Sequence, residues 1–343
     1  MTTADVHRRL SGAVVIPAHP LALDAQGRFD ETAQRALTRY YLDAGAHGLA
    51  VGVHTTQFEL HDDQGQLAKV WQLAADERSY AGTDPVLVAG LVGDTAQAVA
   101  EAEMAREMGY HAALLSPWAM SDRSEDALLD RARAVGEVIP TIGFYLQESV
   151  GGRHLSRDYW RALFDLESVV AVKTAPFDRY RTGDVVQVLL EHDRWDQVAL
   201  LTGNDDAIVA DLVTPTRSGD REIRARGGLL GQWAVGTRAA VAMVENAEQA
   251  AVAQTVPLDL LASGSELVEV NAAVFDVAHD FAGCVPGVNE VLRQQGLLSS
   301  ARCLSESERL SPGQTDLIAG VRQRFAALLD EEFVAENRER WLR

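Results

Sequence analysis

Eight short apolar runs, each followed by an amphipathic stretch, occupy most of this chain and leave few folds open to it. The runs fall at residues 12–17, 47–52, 85–90, 111–115, 139–144, 169–173, 198–202 and 228–232. They are short and aliphatic, which suits strands buried on both faces. The stretches at 30–44, 64–80, 95–108, 124–136, 156–164, 179–191, 205–212 and 235–253 carry helical spacing. Asp30, Thr95, Ser124 and Ser156 stand at N-cap positions, and Gly45 and Gly109 follow their helices where a left-handed residue is favoured. Strands that alternate with helices pair in parallel, and eight units in roughly 250 residues predict a closed (β/α)8 TIM barrel over residues 1–255. An open doubly wound sheet is the alternative. It predicts a glycine-rich fingerprint after the first strand, and Val15-Ile-Pro-Ala-His-Pro20 has none.

The polar segment 214–226 breaks this rhythm and reads as a surface insertion at the helix-to-strand end of the barrel. Beyond residue 255 the strands stop. Helical patterns at 258–281, 288–295 and 315–341 predict a C-terminal helical region, 256–343, too thin to be a catalytic domain of its own.

A formal charge of −19 argues against nucleic acid or an anionic membrane as the main partner. The two cysteines, Cys284 and Cys303, form neither a disulfide framework nor a zinc-ligand set. The first residues carry no apolar core of a leader peptide, and no run is long enough to cross a bilayer, so a cytoplasmic protein is expected.

Of 31 basic residues only two are lysines, Lys69 and Lys173. Lys173 ends the sixth apolar run, where alternation sets it on one face with Val169 and Ala171. Burial there disfavours the ammonium, and lysine, unlike arginine, can lose its proton and act as an amine nucleophile. A lysine that snorkels to solvent or pairs with an acid is the competing reading. The C-terminal ends of barrel strands are where chemistry sits in such folds. Tyr145 closes the fifth strand, and adjacent strands lie about 4.8 Å apart, so its phenol is expected in the same cup as a proton relay. A barrel-core tyrosine with a satisfied hydroxyl is the alternative.

The chain also resembles the dihydrodipicolinate synthase/N-acetylneuraminate lyase group of class I aldolases. The likeness runs through Gly12…Pro17…Asp30, Gly143-Phe-Tyr145, Val170-Ala-Val-Lys173, Gly203-Asn-Asp-Asp206, Gly228-Leu-Leu-Gly231 and Val291-Leu-Arg-Gln-Gln-Gly-Leu297. It implies Lys173 as the Schiff-base nucleophile, Tyr145 as the proton relay, a 2-oxo acid substrate, no cofactor or metal, and a homo-oligomer, tetramer or dimer.

Departures from the family are as informative. Its carboxylate loop, Gly-Thr-Thr-Gly-Glu, corresponds to Gly52-Val-His-Thr-Thr-Gln-Phe-Glu-Leu60. Without a gap the threonine positions become Val53 and His54; a shift of two matches Thr55 and Thr56 instead. His54 is then either an acid/base or carboxylate partner, or a pocket wall. Ala119 stands where relatives carry the tyrosine that crosses between subunits, and Val150 stands in place of an arginine, with Arg153 nearby. Trp118, Phe144, Trp233 and Phe58 are expected to border an apolar pocket, with packing the alternative for the tryptophans. The expected substrate-binding set is therefore His54, Thr55, Thr56, Trp118, Gly203 and Trp233. The expected activity is a lysine Schiff-base lyase or aldolase acting on pyruvate or a longer 2-oxo acid. Alternatives are a 2-keto-3-deoxy sugar acid dehydratase or aldolase, and a non-catalytic ligand-binding relative. A metal-dependent barrel hydrolase calls for a His-x-His pair at an early strand end, which the sequence lacks.

Overall fold

A computed structural model describes residues 2–80 and 82–343. Its strands are β1 (Val15–Pro17), β2 (Gly48–Val51), β3 (Val86–Leu91), β4 (Ala112–Leu115), β5 (Thr141–Leu146), β6 (Val169–Ala175), β7 (Ala199–Thr202), β8 (Thr216–Ser218), β9 (Arg221–Ile223) and β10 (Gly227–Leu230). Eight of them form one parallel sheet in the order β1-β10-β7-β6-β5-β4-β3-β2. The ring closes between its end strands: His47 N donates to Val15 O at 2.9 Å, and His19 N to Ala50 O at 2.8 Å. The expected (β/α)8 barrel is the observed fold.

Apart from half-buried Leu200, the barrel strands are buried on both faces, and separate inner and outer cores follow from that. Ile16, Ala50, Val88, Leu114, Ile142 and Leu229 fill the barrel, while a larger cluster lies between the sheet and its helices. The first helix, Thr3–Leu10, sends Val6 and Leu10 into the inner cluster and plugs the N-terminal end. The outer helices begin where side-chain oxygens satisfy their first amides: Asp30, Ser124 and Ser156 accept from Ala33, Ala127 and Tyr159. The seventh barrel helix starts later than expected, at Ile208 rather than 205, because residues 205–207 form a turn bonded to other elements. The 214–226 insertion is the antiparallel hairpin β8–β9. Arg221 anchors it to Leu190 O and His192 O, at the end of the helix Arg179–Glu191 and far from the strand C-termini.

The tail packs as helices Leu258–Val274, Cys284–Gln294, Gln314–Arg324 and Glu331–Trp341. Two expected helices are shorter or broken. The first ends at Val274, before Asp276 turns left-handed (φ 55°), and the last splits before Asp330 (φ 55°). Asp330 supplies the reason for its break. Its buried carboxylate accepts from Tyr40 Oη at 2.7 Å, Arg238 N at 2.7 Å and Ala239 N at 2.9 Å, so it caps the helix Thr237–Ala253 from outside. Replacing Asp330 by alanine leaves three donors without their acceptor. A loss of about 3 kcal/mol in urea unfolding is expected, since each unsatisfied buried donor costs ~1–3 kcal/mol. Among the described residues, no helix is long and apolar enough to cross a membrane.

Candidate active site

The β-branched run of β6 carries Lys173 to the C-terminal mouth of the barrel, where the side chain is 9% exposed. A chamber of about 70 Å³ opens over it, walled by Val53, His54, Thr55, Phe58, Phe144 and Asp205 among others. Phe144 pairs with Lys173 across β5–β6, and its ring centroid lies 4.5 Å from Nζ, a cation–π contact. Burial pushes the Lys173 amine below its ordinary pKa, and the Asp205 carboxylate partly offsets this. Burial acts on Asp205 in the opposite sense and pushes its carboxyl well above the usual range; the Gln232 N–H and the Lys173 charge work against that rise. The two groups thus approach one another in proton affinity, the condition for passing protons between them near neutral pH.

Gly203 shows how closely the chamber is built around the lysine. A Cβ at this position would lie 2.4 Å from Lys173 Cε and 2.9 Å from Ala175 Cβ. Gly203→Ala is expected to displace the Lys173 side chain and to cost about 1–3 kcal/mol in urea unfolding, the scale of overpacking a filled site. An unchanged unfolding midpoint would mean that the lysine stem relaxes without consequence.

His54 lines the chamber beside Lys173 and packs on Phe58 at 5.6 Å. Burial, and then the lysine charge, push its imidazole down to about 4, so it is neutral at pH 7. Thr55 also lines the chamber, and its hydroxyl donates to Ala18 O at 2.8 Å. Thr56 faces the backbone instead: Oγ1 accepts from Gly52 N at 3.0 Å and Val53 N at 3.2 Å and donates to His19 O at 2.6 Å. It shapes the loop and does not line the chamber.

Three expected residues lie elsewhere. Tyr145 does not line the chamber over Lys173, although it borders the larger cavity outward of it. It pairs with Thr174, packs on Trp160 at 5.3 Å in the outer core, and places its hydroxyl 3.4 Å from His154 Nδ1. Gly143 lies on the same outer face, since a Cβ there would meet Leu163, Val172 and Trp160. A register shift between Thr141 and Ile142 accompanies this arrangement, so Phe144, not the phenol, stands beside the amine. Trp233 is fully buried among Val15, Ile208 and Leu230, outside the barrel. Trp118 stacks on Phe58 at 5.7 Å and backs the wall without facing the chamber. Val150 does line the chamber, whereas Arg153 turns away to the Arg123 and His154 carbonyls.

The sequence reading did not identify Asp205 as a site residue, although it lies in the Gly203–Asp206 motif. It also missed Phe177, Phe275, Phe281 and Cys284, which line the chamber as well. The last three come from the helical tail, so the tail completes the site. Among the described residues, no group of three or more potential metal ligands is assembled.

The fold and this geometry define a parallel (β/α)8 barrel with a desolvated lysine at the end of its sixth strand. Residues 9–216 match the Dihydrodipicolinate synthetase family, and the chain belongs to that family. Similar solved structures include dihydrodipicolinate synthase from Oceanobacillus iheyensis, with 17% identity, TM-score 0.74, and coverage of 95% of this chain and 99% of that one. N-acetylneuraminate lyase from Fusobacterium nucleatum has 16% identity, TM-score 0.73, and coverage of 92% and 99%. YagE from E. coli K12, solved in complex with pyruvate, has 15% identity, TM-score 0.75, and coverage of 92% and 99%. At such identities the likeness is one of fold. No functionally curated protein matches the chain.

Proposed function

We propose that the protein is a class I lyase in which Lys173 forms an imine with the C2 carbonyl of pyruvate or a longer 2-oxo acid. The observation that carries this reading is the buried amine on the chamber floor, with its pKa lowered by desolvation. The neutral amine attacks C2, and the carbonyl oxygen leaves as water after taking two protons. The imine nitrogen then accepts electrons from the C3–H bond, and the released proton passes to the Asp205 carboxylate, leaving an enamine. Asp205 takes the relay role because Phe144, beside the amine, has no proton to exchange. The substrate carboxylate is assigned to His54 and Thr55, the two residues of this turn that line the chamber. Neutral His54 leaves that anion site uncontested. The family likeness supports, as part of the same proposal, a cytoplasmic homo-oligomer, tetramer or dimer.

Pyruvate in D₂O tests this proposal without knowledge of the second substrate. Catalytic amounts of protein are expected to exchange the methyl protons for deuterium, followed by NMR. The rate should rise with pH and level off below the ordinary lysine pKa, because burial has lowered that of Lys173. Exchange no faster than in buffer would contradict the proposal. It would favour the second reading, a non-catalytic 2-oxo acid binder, which the loss of a hydroxyl beside Lys173 supports.

A further inference from the structure

The chamber over Lys173 adjoins a larger one. A second cavity, of about 480 Å³, lies outward of it, and Leu146, Gln147, Phe177, Asp205, Phe275 and Phe281 face both. The inner chamber of about 70 Å³ suits a fragment of pyruvate's size, since one water needs ~10–15 Å³ by this measure. Whatever else the substrate carries must extend into the outer chamber.

Three observations describe what the outer chamber takes. Most of its surface is apolar, from Leu146, Phe177, Phe275, Phe281, Val268 and Val277, with Tyr145, Gln147, Ser149 and Asn271 among its polar groups. Those two valines are 43% and 47% exposed, so the apolar lining continues to the solvent. Second, the chamber does not welcome an anion. Glu148, Asp178, Asp205 and Asp206 line it, and Arg181, its cation among the described lining residues, is already paired with Glu148 and Asp178. Third, Phe177 and Phe281 hold left-handed backbone conformations, φ 52° and 66°, that bulky residues rarely adopt. Their rings meet edge to face at 5.7 Å, one from the loop after β6 and one from the tail. Positive φ at such residues is costly and persists only where the surrounding structure imposes it.

We propose that the second reactant is an uncharged, apolar aldehyde of aromatic size, seated in the outer chamber against Phe177, Phe275 and Phe281 with its carbonyl directed toward the inner chamber. This deepens the Schiff-base reading and rests on it. The enamine carbon derived from pyruvate C3 forms a bond to the aldehyde carbon. The carbonyl π pair moves to oxygen, which takes a proton from the Asp205 carboxyl. Water then hydrolyses the imine, releasing a 4-hydroxy-2-oxo acid and the free Lys173 amine. Cleavage is the same sequence in reverse.

The test offers the full-length protein pyruvate with benzaldehyde, D-glyceraldehyde or succinic semialdehyde, and measures kcat/KM for each condensation by product mass. Pyruvate deuterium exchange is followed in the same preparation. Benzaldehyde is expected to exceed both others by at least about tenfold, the lower end of discrimination by an apolar pocket. Exchange accompanied by equal rates, by preference for the sugar or acid aldehyde, or by no condensation would overturn the assignment of the outer chamber alone. Absence of exchange would overturn the Schiff-base reading and this inference with it.

Discussion

Replacing Lys173 by methionine is expected to reduce pyruvate deuterium exchange to the buffer rate while the thermal unfolding midpoint holds or rises. The nucleophile is removed, and no second amine is at hand: Lys69, the only other lysine, lies in the helix Gln64–Glu77. Methionine keeps the unbranched stem that fits past Gly203 and removes a charge that burial disfavours. Asp205 then loses a cation that lowers its pKa, so its carboxyl is more readily neutral and leaves no bare charge behind. Circular dichroism follows unfolding and NMR follows exchange. Retained exchange in this variant would place the chemistry elsewhere in the protein.

Asp205→Asn is expected to have the next largest effect, and a different one. Asparagine keeps the oxygen that accepts from Gln232 N at 3.1 Å, and the backbone carbonyl that accepts from Asn271 Nδ2 at 2.6 Å is unchanged. What disappears is the exchangeable proton. Deuterium exchange should fall by about 10²–10⁴-fold, the usual contribution of a general acid–base group. Imine formation should survive, because the amine is still there. The sign of the pH effect adds a check. The Asp205 carboxylate raises the Lys173 pKa, so its removal lowers that pKa further and moves the rising limb of the pH–trapping profile to lower pH. A limb that moved upward, or unchanged exchange, would show that Asp205 neither faces the amine nor handles its protons.

The barrel was legible because its signal repeats. Each strand is a short aliphatic run, each helix has 3.6-residue spacing, and the caps at Asp30, Ser124 and Ser156 lie where expected. The position of Lys173 at a strand end followed from the same repeat. Which face of a strand points inward did not follow. When both faces are buried, alternation separates them without saying which lines the barrel. Tyr145 and Phe144 were therefore interchangeable on paper, and the register shift at Thr141/Ile142 is a pairing property of two strands. Trp233 failed for another reason: it lies in the turn Gln232–Val235 beyond the strand, where alternation does not apply. Residue size suggested a pocket wall, yet it packs outside the sheet. The contribution of Phe275, Phe281 and Cys284 was out of reach, because it depends on how a tail folds back over the barrel mouth.

The measurement that bears most directly on the account is reductive trapping followed by peptide mapping. Protein incubated with pyruvate and borohydride should gain one reduced adduct, carried by the peptide containing Lys173 and absent from that containing Lys69. No adduct on Lys173, under conditions that label a structurally similar N-acetylneuraminate lyase, would contradict the claim that this buried amine is the reacting group.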